Sequence, residues 1–291
     1  MISLIEPFEY AFFMRALWVA GVIGIVCGVL SCFITLKGWS LLGDALSHAV
    51  VPGVVIANLF AWPFAVGAFI AGMLAALGIG LVRRISGLPG DAVIGVILTG
   101  FFALGMVLIS LFPSMISLTT VLFGNLLGIT AADALQMLII ALSVGAIVFL
   151  CWKDLLLYTF DEAQARMVGL NVRWLYCLML MLVAAVSVAA LQAVGAILVM
   201  SLMVTPGATA YLLTQRFARM LWLAPLLGGG LAVTGVYISY FLDVSAGGCI
   251  VLLQGGAFLV ALLLGGRRMP ELPAQMDTSL SAPYKPTGGQ A

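Results

Sequence analysis

The only histidine in this 291-residue chain, His48, stands four positions after Asp44 in an otherwise apolar stretch. The run reads Trp39-Ser40-Leu41-Leu42-Gly43-Asp44-Ala45-Leu46-Ser47-His48-Ala49-Val50-Val51-Pro52-Gly53. A separation of four residues places both side chains on one helix face, about one turn apart. A neutral imidazole and a carboxylate together suit a divalent first-row ion such as Mn²⁺, Fe²⁺ or Zn²⁺. The plainer reading is a buried Asp–His pair that links two helices. Two side chains are too few to complete a metal site. This chain could add only acidic or neutral groups, whereas a second copy across a two-fold axis would add another Asp–His pair.

The elements that must hold this pair are membrane helices. Hydrophobic residues make up 64% of the chain and charged residues 8%, with mean hydropathy +1.25. A soluble domain carries about 25% charged residues, so the composition specifies an all-α polytopic membrane protein. About 20 apolar residues cross a bilayer core. Cutting the apolar runs at Gly, Pro and charge gives about nine spans, near 11–35, 40–60, 63–82, 92–112, 133–152, 174–191, 193–214, 222–242 and 246–265. The weakest cuts, at Trp62-Pro63 and near Gln192, require very tight turns; losing one would leave eight.

Charge sets the expected orientation. Eleven of the twelve basic residues fall in alternate loops or the tail, and only Arg15, early in the first span, falls elsewhere. The positive-inside bias makes that side cytoplasmic, with the N-terminus outside and the C-terminus inside. Eight spans would break the alternation, so nine is preferred. Counted from Lys37 at 1.5 Å per residue, Asp44 and His48 lie roughly 10 and 16 Å deep, the latter near mid-bilayer. Ionisable residues at such depth mark transport pathways more often than they serve as plain braces.

Lys153 to Asn171 is the longest polar insertion in the body of the chain. It predicts a short cytoplasmic helix, with Asp161 and Glu162 in its first turn and Gly169 and Asn171 stopping it. Such a helix is either a solvated connector or a docking element for a cytoplasmic partner. Pro52-Gly53 and Pro206-Gly207 are helix-break candidates; paired interruptions can free carbonyls along a transport route, although kinks packed by small residues are commoner. Asp91, Asp133 and Asp243 fall at expected span ends and read as solvated. Gln192 and Gln254 read as hydrogen bonds between helices. The five cysteines, lacking CxxC spacing, and the fourteen methionines read as core. Glu6 and Glu9 near the N-terminus argue against a cleaved signal peptide. Residues 1–265 are expected to form the membrane domain and 266–291, rich in proline, a disordered cytoplasmic tail.

No G-x-x-x-x-G-K-[ST] occurs, and none of the three lysines follows glycine. ATP hydrolysis by a P-loop is therefore excluded for this chain, and it is not expected to be an enzyme. No basic cluster suggests nucleic acid. An intramembrane aspartyl protease would need a second carboxylate at similar depth, which is not evident. A gradient-driven metal carrier or channel needs no ATPase and stays open as an alternative.

From Pro7 to Leu264 the chain resembles the membrane subunits of the bacterial ABC-type manganese/iron/zinc uptake family. Three blocks carry the resemblance: Leu36 to Gly53, Phe160 to Leu170, and Gly195 to Tyr211. It implies a permease dimer, of identical chains or of paralogues, in the bacterial plasma (inner) membrane. It further implies a cytoplasmic ABC ATPase dimer and an extracytoplasmic metal-binding protein as partners, with no permanently bound cofactor. Asp44 and His48 match the family's metal-coordinating pair. Phe160, Asp161, Glu162, Arg166 and Gly169 match its ATPase-coupling loop. The Leu36-Lys37-Gly38-Trp39-Ser40-Leu41 block and the surroundings of Leu242-Asp243 resemble the manganese/iron branch more than the zinc branch, with zinc as the alternative cargo.

Overall fold

The computed structural model describes residues 6–86, 88, 90–112, 124 and 126–265. The 266–291 tail lies outside the described residues, as do the side chains of Asp91 and Gln192. Within them, nine helices or helix pairs are long and apolar enough to cross a membrane. Only helices can do this as isolated segments, because each satisfies its own backbone hydrogen bonds where water is absent.

After a 3-10 turn at Glu6–Glu9, α1 runs Ala11–Lys37. The second span is two short helices, α2 (Leu42–Ala49) and α3 (Val51–Leu59). It is followed by α4 (Phe64–Ser86), α5 (Gly90–Leu111) and α6 (Ala131–Phe160). A six-residue helix, α7 (Glu162–Met167), precedes α8 (Val172–Leu191) and α9 (Val194–Leu213). The last two are α10 (Phe217–Leu242) and α11 (Ala246–Gly265). Arg15 and Lys37 mark the two ends of the bundle.

α1 is central, packed chiefly on α10 and on the α8–α9 pair. With apolar side chains equally at home in lipid, close helix approach depends on small residues and backbone contact. Gly24 and Gly228 show this: a Cβ on either would strike the other's carbonyl oxygen. By contrast, only 17% of the apolar window of α5 and 22% of that of α11 is buried, which makes them peripheral.

Both tight cuts are real. At the first, Ala61 takes φ 53° and the Trp62 N–H bonds back to the Ala57 carbonyl at 2.8 Å, reversing the chain within four residues. The second lies at Gly195, with φ 77° and ψ 165°, a conformation essentially confined to glycine. The packing shows a reversal there. Tyr176 of α8 meets Trp39, and Gly207 of α9 meets Ser31, so both lie toward the Lys37 end. An unbroken helix would separate those two residues by about 46 Å. Gly124, also at positive φ, packs directly on the Val194–Gly195 backbone.

Three local details differ from expectation. The fifth crossing helix continues to Phe160, eight residues beyond its expected end, because Leu155, Tyr158 and Thr159 are buried against the bundle. The Pro52-Gly53 interruption falls at Val50, one turn before Gly53. Pro206 and Gly207 are not a break at all: α9 is helical through both, and the break in that region is Gly195. Neighbouring helices can hold a helix through one proline-freed carbonyl. Here Gly207 fits so closely to α1 that a Cβ would collide with Ser31.

The smaller readings follow from local chemistry. Gln254 accepts a hydrogen bond from Ser201 at 2.8 Å, tying α11 to α9. Asp133 sits in the first turn of α6, its N–H capped by the Thr130 hydroxyl. All five cysteines are free thiols. Arg15, the basic residue outside the charge pattern, donates Nη1–H to the Ile129 carbonyl at 3.0 Å, so its charge helps close the entry to α6.

Candidate functional site

α2 is amphipathic in a small compass. Leu42, Ala45, Leu46 and Ala49 face the core, while Asp44 and His48 share the remaining face, one turn apart. Their side chains are 23% and 26% exposed, and His48 Nε2 lies 3.3 Å from Asp44 Oδ1. The imidazole is otherwise held edge-on by Phe102 of α5, with ring centroids 5.6 Å apart at 82°. Ser47, between them in sequence, turns inward and donates to the Gly43 carbonyl at 2.8 Å.

The depth of the pair is set by its neighbours rather than by α2 alone. Because α2 starts at Leu42, His48 is only about 9 Å along its own helix. Phe102, however, is about 18 Å into α5, and Gly43 packs on Met203 near the middle of α9. The short helix therefore begins inside the bundle, and the pair lies near mid-depth of the surrounding helices.

Pro52 contributes at this level through what it lacks. A helical residue 52 would donate its N–H to the His48 carbonyl; proline cannot. That carbonyl instead takes the Val50 N–H as α2 ends. The break is locked from outside: Gly53 and Gly67 are so close that a Cβ on either would meet the other's backbone oxygen, and Gly105 of α5 leaves room for Val51 and Pro52. Among the described residues, no group of three or more His, Cys, Asp or Glu side chains comes together as a metal cluster. Among the described residues Asp44 and His48 thus stand as a pair and not as part of a larger donor cluster.

The second cluster is at the Lys37 end. Asp161 caps α7, accepting from the Ala163 and Gln164 N–H groups at 2.7 and 3.0 Å. Gly169, at φ 89°, ends it with the paired bonds Gly169 N–H to Arg166 O and Leu170 N–H to Ala165 O, both 3.0 Å. Phe160, Met167 and Val168 are exposed, and Arg166 pairs with Glu162 at 3.7 Å. Phe160, Asp161, Glu162, Arg166 and Gly169 are therefore parts of one capped, protruding turn of helix, separate from the Asp44–His48 pair. Sequence reasoning passed over Lys37 as merely a loop charge. Its Nζ lies 2.6 Å from Glu162 Oε1, donates to the Tyr158 carbonyl at 3.2 Å and sits 4.1 Å from the Tyr158 ring centre. No local signal marked it, because its partner Glu162 is 125 residues away in the chain. Beside it, a cavity of ≈ 160 Å³ is lined by Gly38, Trp39, Leu42, Arg83 and Tyr176, at the foot of α2.

These features define a multi-pass helical membrane protein with an ionisable pair inside its bundle and a short polar helix at one end. The chain belongs to the ABC 3 transport family, whose model matches residues 9–265. It is 49% identical to the manganese transport system membrane protein MntB of Synechocystis sp. over 260 residues, 89% of this chain and 85% of that protein. It is 50% identical over 258 residues to the chelated iron transport system membrane protein YfeC of Yersinia pestis, spanning 89% of this chain and 88% of that one. The solved structure of PsaBC from Streptococcus pneumoniae in complex with Fab superposes with TM-score 0.82 at 35% identity, covering 97% of this chain and all of that one.

Proposed function

We propose that this chain is the permease subunit of an ATP-driven importer that carries Mn²⁺ or Fe²⁺ past a layer formed by Asp44 and His48. The single observation that carries the reading is that pair: a carboxylate and an imidazole 3.3 Å apart, near mid-depth, on a helix that proline ends one turn later. Ionisable groups inside a membrane bundle are costly and mark ion routes. The names of the manganese and iron relatives support the choice of cargo.

Two copies, or this chain and a paralogue, would face their pairs across a two-fold axis. Such a layer offers two carboxylates and two imidazoles, a hard-to-borderline donor set suited to these ions. Zn²⁺ would accept the same donors, and competition at the layer is the measure of that alternative. The chain carries no P-loop, so a separate cytoplasmic ATPase dimer supplies the energy and docks on α7. With eleven of the twelve basic residues in alternate loops or the tail, the positive-inside bias supports an inner-membrane orientation with α7 cytoplasmic. The other end then receives metal from an extracytoplasmic binding protein.

Uptake of Mn²⁺ by cells expressing the whole system, with wild-type chain or Asp44→Ala, tests the reading. Loss of uptake at equal membrane abundance supports it; undiminished uptake defeats it. Co-purification separates the importer from a gradient-driven carrier: no ATPase accompanying the chain, together with uptake that survives ATP depletion, favours the carrier.

A further inference from the structure

We infer that Lys37 is a positioning residue that straps the docking helix α7 to the helix bearing Asp44 and His48. The inference rests on the importer reading and concerns how motion at α7 reaches the metal layer. Lysine is ordinarily a mobile, strongly hydrated point charge. Here its side chain is only 13% exposed and is held by three groups from one corner of the fold. These are the Glu162 carboxylate at 2.6 Å, the Tyr158 carbonyl at 3.2 Å and the Tyr158 ring at 4.1 Å. Glu162 is the first residue of α7 and Tyr158 precedes it by four, so all three acceptors belong to the α6–α7 junction.

On the other side, Lys37 is the last residue of α1 and is joined to α2 by four residues. Gly38 takes the left-handed conformation, φ 70° and ψ 27°, and its N–H bonds back to the Thr35 carbonyl at 3.2 Å, closing α1. Trp39 is fixed: its N–H bonds to Ile34, its carbonyl accepts from the Leu42 N–H at 2.9 Å, and its ring meets Tyr176 edge-on at 5.5 Å. Tyr176 lies near the start of α8, the element that leaves α7. Displacement of α7 therefore pulls the foot of α2 at two points, the Lys37 ammonium and the Trp39 ring. α2 is short and begins inside the bundle, so movement at its foot shifts Asp44 and His48 with it. Residues 37 and 162 are 125 positions apart and are brought together only by the fold.

The test uses the complete complex in proteoliposomes, with ATP hydrolysed per Mn²⁺ imported as the readout. In Lys37→Met and in Glu162→Gln the ratio is expected to rise about tenfold, corresponding to loss of one charge-assisted contact worth ~1.4 kcal/mol. If the two residues act as one strap, the double variant is no worse than either single variant. Lys37→Arg, which keeps the charge, is expected to stay near the wild-type ratio. An unchanged ratio, additive effects, or ATPase and import falling together with the yield of folded chain would each overturn the strap. Amide exchange over residues 38–48 in the purified full chain judges the link without any partner. Faster exchange in both single variants supports it, and unchanged exchange defeats it. A wild-type complex that hydrolyses ATP yet imports no Mn²⁺ would instead defeat the importer reading itself.

Discussion

His48→Ala is the substitution whose consequences are most sharply separated by the structure. The imidazole is 26% exposed, meets the Phe102 ring edge-on and lies outside the fully buried core. Alanine is also the better helix former, by a few tenths of a kcal/mol. The predicted cost to folding is therefore at most about 1–2 kcal/mol, small enough for normal membrane abundance. The predicted cost to transport is larger. In a layer made by two copies of this chain the change removes two of four side-chain donors, leaving only carboxylates. Disturbing groups that merely orient a metal ligand costs roughly 10–100-fold in affinity, so losing both imidazoles is expected to cost about 100-fold or more. Initial rates of Mn²⁺ uptake, at concentrations well below saturation and normalised to chain abundance, measure this. Uptake within about twofold of wild type would refute the reasoning, since two lost donors in a narrow layer cannot be worth under ~0.5 kcal/mol.

Other predictions concern the frame around the pair. Gly53→Val or Gly67→Val drives a side chain into the facing backbone, which cannot move aside as a flexible side chain would; a loss of well over 1–3 kcal/mol is expected, read as a lowered Tm and poor recovery of folded chain. Gly195→Ala forces a Cβ into φ 77°, ψ 165° at the α8–α9 reversal, costing about 1–3 kcal/mol, and a Tm equal to wild type would count against the reversal there. Asp161→Ala removes the cap of α7 at about 1 kcal/mol; it is expected to leave the Tm of the bundle nearly unchanged while weakening recovery of the ATPase in pull-downs.

Much of this protein is written locally. Hydropathy and length suffice for the crossing helices, because a chain in lipid must satisfy its backbone within each segment. The alternation of basic residues supports nine crossings over eight, and the i, i+4 spacing places Asp44 beside His48 without knowledge of the fold. The capped turn at Asp161 to Gly169 is equally local, since its caps and stop signal lie within ten residues. Proline is less decisive. Pro52 ends a helix at Val50, whereas Pro206 sits in an unbroken one, and what differs is the packing around each.

Three features depend on tertiary structure, for one physical reason: each is a contact between residues far apart in the chain. The depth of the pair follows from where α5 and α9 stand relative to a short α2. The reversal at Gly195 shows through the Trp39–Tyr176 and Ser31–Gly207 contacts. The Lys37 ion pair needs α1 and α7 brought together across 125 residues. By itself the sequence determines the helices, their number and the chemistry they carry. Their packing decides the depth at which that chemistry sits and brings Lys37 at the end of α1 against Glu162 of α7.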